Sequence, residues 1–175
     1  MDRTHNLVRI ENEHTDDLES RGFEVYLGWN DTLADRIVDL SRQPHILETT
    51  GADAARRFNT LHDARIWHSQ GQRSIYTLHG DDVAGLIWYD IRIRQDIGAN
   101  YTFAIRTYEE AHGKKLAYGF MKAAHHDFAE RKGNPVVWLD VALDNQPARH
   151  LYRKFGYQAL YLDEGREVMV YNSDN

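Results

Sequence analysis

VVWLDVALDNQPARHLYRKFGY, residues 136–157, decides the fold of this chain. Its first half, VVWLDVAL, is apolar at both alternating sets of positions, as expected of a strand buried on both faces in a sheet interior. Its second half opens with Asn145, a helix-capping residue type, and places Ala148, Leu151, Tyr152 and Phe155 at the i, i+3, i+4, i+7 spacing before Gly156 stops it. A buried strand leading into an amphipathic helix is a unit of α/β architecture.

The rest of the chain extends that pattern outward. Leu116, Phe120, Ala124 and Phe128 recur every four residues, joined by Ala117 and Met121, and Arg131 and Lys132 precede Gly133, so a helix is expected there. YTFAIRTY (101–108) reads as the strand before it, and RSIYTLH and VAGLIWYDI form a hairpin around Gly80-Asp81-Asp82. GFEVYLGW (22–29) is strand-like. NDTLADRIVDLSRQP is a helix capped at Asn30 or Asp31, with Leu33, Ile37 and Leu40 on one face and a stop at Pro44. A weaker helix runs from Ala54 to His68 on Phe58 and Leu61, ending at the Gly71 turn, and YQALYL and REVMVY close the chain as a hairpin around Asp163-Glu164-Gly165. The expected fold is α/β: a mixed, mostly antiparallel central sheet of about seven strands with helices on both faces, in a single domain over residues 1–175 with frayed ends.

Composition narrows the function. The 175 residues contain no cysteine, which excludes disulfides, thiolate metal sites and a cysteine nucleophile and fits a reducing, cytoplasmic interior. No apolar run reaches membrane-spanning length, and the start MDRTHNLVRIENEH lacks a signal-peptide core, so no membrane partner is expected. The net charge of −6 lies entirely in residues 1–63, which carry 13 acidic and 7 basic residues. That balance disfavours a nucleic-acid surface and favours either a cationic partner or a plain solvated acidic face. Monomer and homodimer both remain open.

The Leu-acid-Val strand, Asn145, Ala148, Leu151-Tyr152 and Gly-aromatic ending of residues 136–157 resemble the last conserved motif of the GCN5-related N-acetyltransferases. YTFAIRTYEEAHGKKLA resembles the acetyl-CoA motif of the same family, and the element order matches its fold. The family prefers Arg or Gln, two residues, Gly, one residue, then Gly or Ala; here His112 and Lys115 replace the Arg or Gln and the central Gly, while Ala117 fits.

The resemblance implies acetyl-CoA as co-substrate, held at His112, Gly113, Lys114, Lys115, Leu116 and Ala117. A helix start offers unpaired N–H groups and partial positive charge to a pyrophosphate, although Lys114 and Lys115 also suit a plain solvated turn. It implies that the strand end Ile105, Arg106 and Thr107 pairs its backbone with the pantetheine arm. Asn145 would contact the cofactor or an ordered water, alone or together with capping its helix. Tyr152 would protonate the departing CoA thiolate, or it is a core tyrosine. Asp140, set opposite Leu139 and Val141 by the period of two, is the first choice of base, with a water, Glu109 and Glu110 as alternatives.

The resulting expectation is transfer of an acetyl group from acetyl-CoA to a primary amine, small molecule or protein, directly in a ternary complex. The alternative is a non-catalytic CoA-binding or regulatory module, which the His112 and Lys115 departures favour. The acidic first third, with Trp29, Trp67 and Trp88, points to a cationic or aromatic amine unless the tryptophans fill the core. His125 and His126 face different sides of a helix and His62 and His68 lie six apart, so no metal is expected.

Overall fold

A computed structural model describes residues 7–50 and 56–172. The strands are β1 (Leu7–Ile10), β2 (Glu24–Gly28), β3 (Ser74–His79), β4 (Val83–Arg94), β5 (Ala99–Thr107), β6 (Val137–Ala142), β7 (Gln158–Asp163) and β8 (Arg166–Tyr171). The helices are α1 (Asp16–Ser20), α2 (Asp31–Leu40), α3 (Pro44–Thr49), α4 (Leu61–Ser69), α5 (Ala117–Lys132) and α6 (Gln146–Phe155). One 8-stranded sheet runs in the order β1-β2-β3-β4-β5-β6-β8-β7. Each neighbouring pair is antiparallel except β5 with β6, which the α5 crossover makes parallel.

β4 shows how the sheet is covered. Ala84, Ile87 and Tyr89 join one buried cluster with Phe120, Met121 and Phe128 of α5. Val83, Leu86 and Trp88 join a second with Leu33, Ile37 and Val38 of α2 and Trp67 of α4. Successive residues from Leu86 to Tyr89 therefore feed cores on opposite faces, with the alternation shifted by one residue at the bulge beside Ala84, which is why the sequence is apolar without alternation. The Phe128 ring stacks on Tyr89 with centroids 3.9 Å apart and 7° between planes, pinning α5 to the sheet.

The structure adds to and corrects the expected elements. There is one more strand than the seven expected, because β1 and the short α1 precede the first strand read from sequence. β1 is four residues long with its two central positions exposed, too short for a periodic signal. α2 is capped by Asn30, whose Oδ1 accepts from the Leu33 N–H at 2.8 Å, but it ends at Leu40; Pro44 does not stop it and instead starts α3. The helix expected from Ala54 begins outside the described residues. Its later part is a separate helix whose cap is Thr60, and its buried anchors are Ala64 and Trp67. The expected frayed ends also lie outside the described residues.

Gly85 lets α5 approach β4. A Cβ there would lie 3.0 Å from the Phe120 Cε1 and 3.4 Å from the Arg106 carbonyl oxygen, and Phe120 is fully buried. Gly85→Ala is therefore expected to lower stability by about 1–3 kcal/mol through overpacking. Urea unfolding checks this, and an unchanged midpoint and slope would show that the phenyl ring can yield.

Candidate active site

β5 and β6 share only the pairs Tyr101↔Val137 and Thr102↔Trp138. β5 continues to Thr107, held on its other side by β4 as far as Gly85, while β6 stays paired with β8. The two strands thus part beyond Thr102, and the β5 edge from Phe103 to Thr107 facing the gap has no strand beside it among the described residues. Two clefts open at this divergence, and Thr107 lines both.

The first cleft, about 600 Å³, is lined by His112, Gly113, Lys115, Leu116 and Ala117, five of the residues expected to hold CoA. His150 and Lys154 of α6 join them, an addition that spacing within residues 109–117 could not reveal. Gly113 (φ 71°) and Lys115 (φ 53°) both adopt left-handed backbone. Leu116 precedes α5 without a side-chain cap, so the N–H groups of Lys115, Leu116, Ala117, Tyr118 and Gly119 have no hydrogen-bond partner among the described residues. The two lysines separate here. Lys115 lines the cleft, whereas Lys114 turns to Glu110 (Nζ to Oε1, 3.0 Å) and to the Phe23 ring at 5.1 Å. Glu110 is thereby engaged as well.

The second cleft, about 370 Å³, includes Ile105, Arg106 and Asn145 of the expected set, together with His45, Arg57 and Arg166. Asn145 also caps α6, its Oδ1 accepting from the Ala148 N–H at 3.3 Å. The Arg106 guanidinium lies over the Phe58 and Trp88 rings at 5.1 and 5.7 Å. His45 was not singled out in the sequence. Its Nε2 donates to the Thr107 carbonyl oxygen at 3.0 Å and lies 3.3 Å from the His112 Nε2, so the two imidazoles bridge the two clefts. Trp67 and Trp88 are 7% and 5% exposed and belong to the α2-side core, and Trp29 packs beside Trp67 at 5.6 Å, so filling the core is their main role. A larger cavity of about 710 Å³ at the β1–β2 edge contains none of the expected site residues, and Arg9 there is ion-paired with Glu19 and Glu24 at 3.2 Å each.

Tyr152 is buried on α6, edge-on to Phe103 at 6.1 Å and tilted on Tyr157 at 5.9 Å. Burial pushes its hydroxyl up to about 12, against an opposing pull from Arg166 of the second cleft. The placement of α6 is fixed by Glu167 of β8, which accepts from Arg149 at 3.1 Å and from Arg153 at 2.7 Å; these partners, the Arg149 hydrogen bond foremost, hold its carboxyl below the usual range. Asp140 is exposed and accepts from the Arg166 Nε, and Arg166 rather than Asp140 lines the cleft. Glu109 is exposed at the start of the 3-10 turn Glu109–Ala111 that precedes α5.

Away from both clefts, Glu13, His14 and His126 bring one ligand atom each within 4.8 Å of one another. This grouping joins residues more than a hundred positions apart, which spacing along the chain could not anticipate. No helix among the described residues is long and apolar enough to cross a membrane.

The model of the Acetyltransferase (GNAT) family matches residues 35–157, and the chain belongs to that family. No curated protein matches it by sequence. Among solved structures, the ribosomal-protein-S5-alanine acetyltransferase of Vibrio fischeri is similar over 96% of this chain and 98% of its own, with 14% identity and a TM-score of 0.68. An aminoglycoside acetyltransferase in complex with coenzyme A covers 86% of this chain and 95% of its own at 16% identity and TM-score 0.67. A variant of the spermidine N-acetyltransferase of Vibrio cholerae covers 88% and 95% at 16% identity and TM-score 0.63. At these identities the likeness is one of fold.

Lys115 stands where the family prefers glycine, in a backbone conformation that costs a side-chain-bearing residue about 1–2 kcal/mol. Lys115→Gly is expected to match or exceed the parent's stability, by about 0–1 kcal/mol once the freer unfolded chain is counted, and Lys115→Val to lose about 1–2 kcal/mol. Urea unfolding of the three proteins orders them, and a glycine variant weaker than the valine variant would contradict this origin of the family preference.

Proposed function

We propose that this protein transfers the acetyl group of acetyl-CoA to a primary amine, directly and within a ternary complex. The observation that carries the reading is the parting of β5 and β6 beside a helix start whose backbone N–H groups have no partner among the described residues. Those N–H groups, the left-handed turn at Gly113 and Lys115, and the Lys115 ammonium suit the phosphates of CoA. The β5 edge that parts from β6, at Ile105, Arg106 and Thr107, suits the amide groups of its pantetheine arm. When bound, the co-substrate supplies an acetyl thioester near Thr107, where the two clefts meet.

With no cysteine to carry the acetyl group, the amine nitrogen forms its bond to the carbonyl carbon as the carbon–sulfur bond breaks. Backbone N–H groups of the β5 edge stabilise the carbonyl oxygen as it gains charge. His45 takes the proton that the amine loses. Its Nε2 is committed to the Thr107 carbonyl as donor, which leaves Nδ1 with the lone pair. Tyr152 gives a proton to the leaving sulfur, and burial keeps its hydroxyl protonated at neutral pH. Asp140 acts through Arg166, holding that guanidinium at the cleft rim. The non-catalytic alternative rested on His112 and Lys115, and the left-handed backbone of Lys115, which a glycine would share, removes half of that support.

Release of CoA thiol with an amine panel tests these roles. Tyr152→Phe is expected to fold normally and to turn over about 10²-fold more slowly or worse. His45→Gln is expected to lower kcat about 10²-fold with CoA binding kept, whereas Asp140→Asn keeps kcat and raises the acceptor KM. An unchanged rate in Tyr152→Phe removes it from the mechanism, and an unchanged kcat in His45→Gln beside a lowered one in Asp140→Asn makes Asp140 the base.

A further inference from the structure

The second cleft carries a sign opposite to the one that the chain's composition announces. Arg57 and Arg106 both set their guanidiniums over the Trp88 ring, 5.8 and 5.7 Å from its centroid, and Arg166 adds a third at the rim. No aspartate or glutamate is among the described residues that line it. Several carboxylates of the acidic first third are engaged elsewhere: Asp31 with Arg65 at 2.7 Å, Asp39 with Arg42 at 3.3 Å, and Glu19 and Glu24 with Arg9 at 3.2 Å each. Resting on the acetyl-transfer reading above, we infer that the acceptor is a small primary amine that also carries an anionic group, which the arginines around Trp88 bind while the amine reaches Thr107.

Three physical arguments support this. Two guanidiniums gathered about one indole ring repel each other. Arg106 is held below its ordinary range by burial first, and Arg57 adds to the effect, so an anion placed between them relieves a repulsion already present. Arg57 and Arg106 make further contacts, and Arg166 holds Asp140, so the inference concerns the sign of the wall rather than idle charges. The planar guanidinium fork matches carboxylate and phosphate oxygens two at a time, and stacking on an aromatic ring holds the fork in place. Finally, Ile46, Ala104 and Ile105 supply apolar wall beside the arginines, and a volume of about 370 Å³ suits a small molecule with a short apolar body. Aminoglycosides and spermidine, named for two of the similar structures, are polycations that such a wall would repel.

The test compares matched amines in two readouts. Short ω-amino acids and L-phenylalanine are set against their amides, with O-phosphoethanolamine as the phosphate arm and spermidine and kanamycin as cations. CoA thiol release gives kcat/KM with acetyl-CoA, and calorimetric titration into the CoA-saturated protein gives binding without turnover. The inference predicts that at least one anionic amine exceeds its neutral counterpart by about 10-fold or more in both readouts, equivalent to about 1.4 kcal/mol. It also predicts that Arg57→Gln shrinks that ratio and Arg57→Glu abolishes it, mainly through KM, with thermal melts confirming that both variants fold. The carboxylate and phosphate arms show which anion the site prefers. Preference for spermidine or kanamycin overturns the inference and leaves acetyl transfer standing. If anionic amines bind in an Arg57-dependent way but no amine consumes acetyl-CoA, the acceptor site stands and the transfer reading falls. If anionic amines neither bind nor react better than their amides, the inference is wrong.

Discussion

The structure depends on a sheet that stops pairing halfway along one strand. Polar backbone groups at such an edge need partners, and β5 beyond Thr102 finds none in β6. The edge cannot close, because β6 is held on its other side by β8 along its full length and β5 is held by β4 to Thr107. α5 must cross from the end of one strand to the start of the other, so its N-terminus is delivered to the mouth of the gap. Hydrogen-bonding capacity on the β5 edge and positive potential at the helix start therefore arise from one topological feature.

How much of this was legible follows from the range of each interaction. The α5 pattern and the β6–α6 stretch were readable because their signals are local: a repeat of four, a buried run, a cap at Asn145 and a stop at Gly156. β1 was not, since four residues with an exposed centre offer no period, and Pro44 misled because proline begins a helix as readily as it ends the previous one. In the site, Gly113, Lys115, Leu116, Ala117, Ile105, Arg106, Thr107 and Asn145 do line the two clefts. What sequence could not supply was who faces whom. Asp140 meets Arg166, Glu167 clamps Arg149 and Arg153, and His45 reaches both Thr107 and His112; each is a tertiary pairing with no spacing to advertise it.

Charge shows the same limit. The acidic excess of the first third is a property of composition, whereas the field in a cleft depends on which side chains point inward. Arg57, encoded in that acidic third, turns toward Trp88, and Arg106 comes from the strand that forms the gap. Net charge therefore describes the chain as a whole, and three arginines describe the lining of the second cleft.

The central claim is that the open β5 edge and the α5 start together hold CoA. Amide hydrogen exchange with and without CoA measures this directly, because it reports each backbone N–H separately. The account predicts slower exchange on CoA addition, concentrated in residues 103–107 and 115–119 and weaker at high salt, where exposed phosphate contacts are screened. Unchanged exchange in both segments under saturating CoA, or protection confined to another part of the sheet, would contradict it.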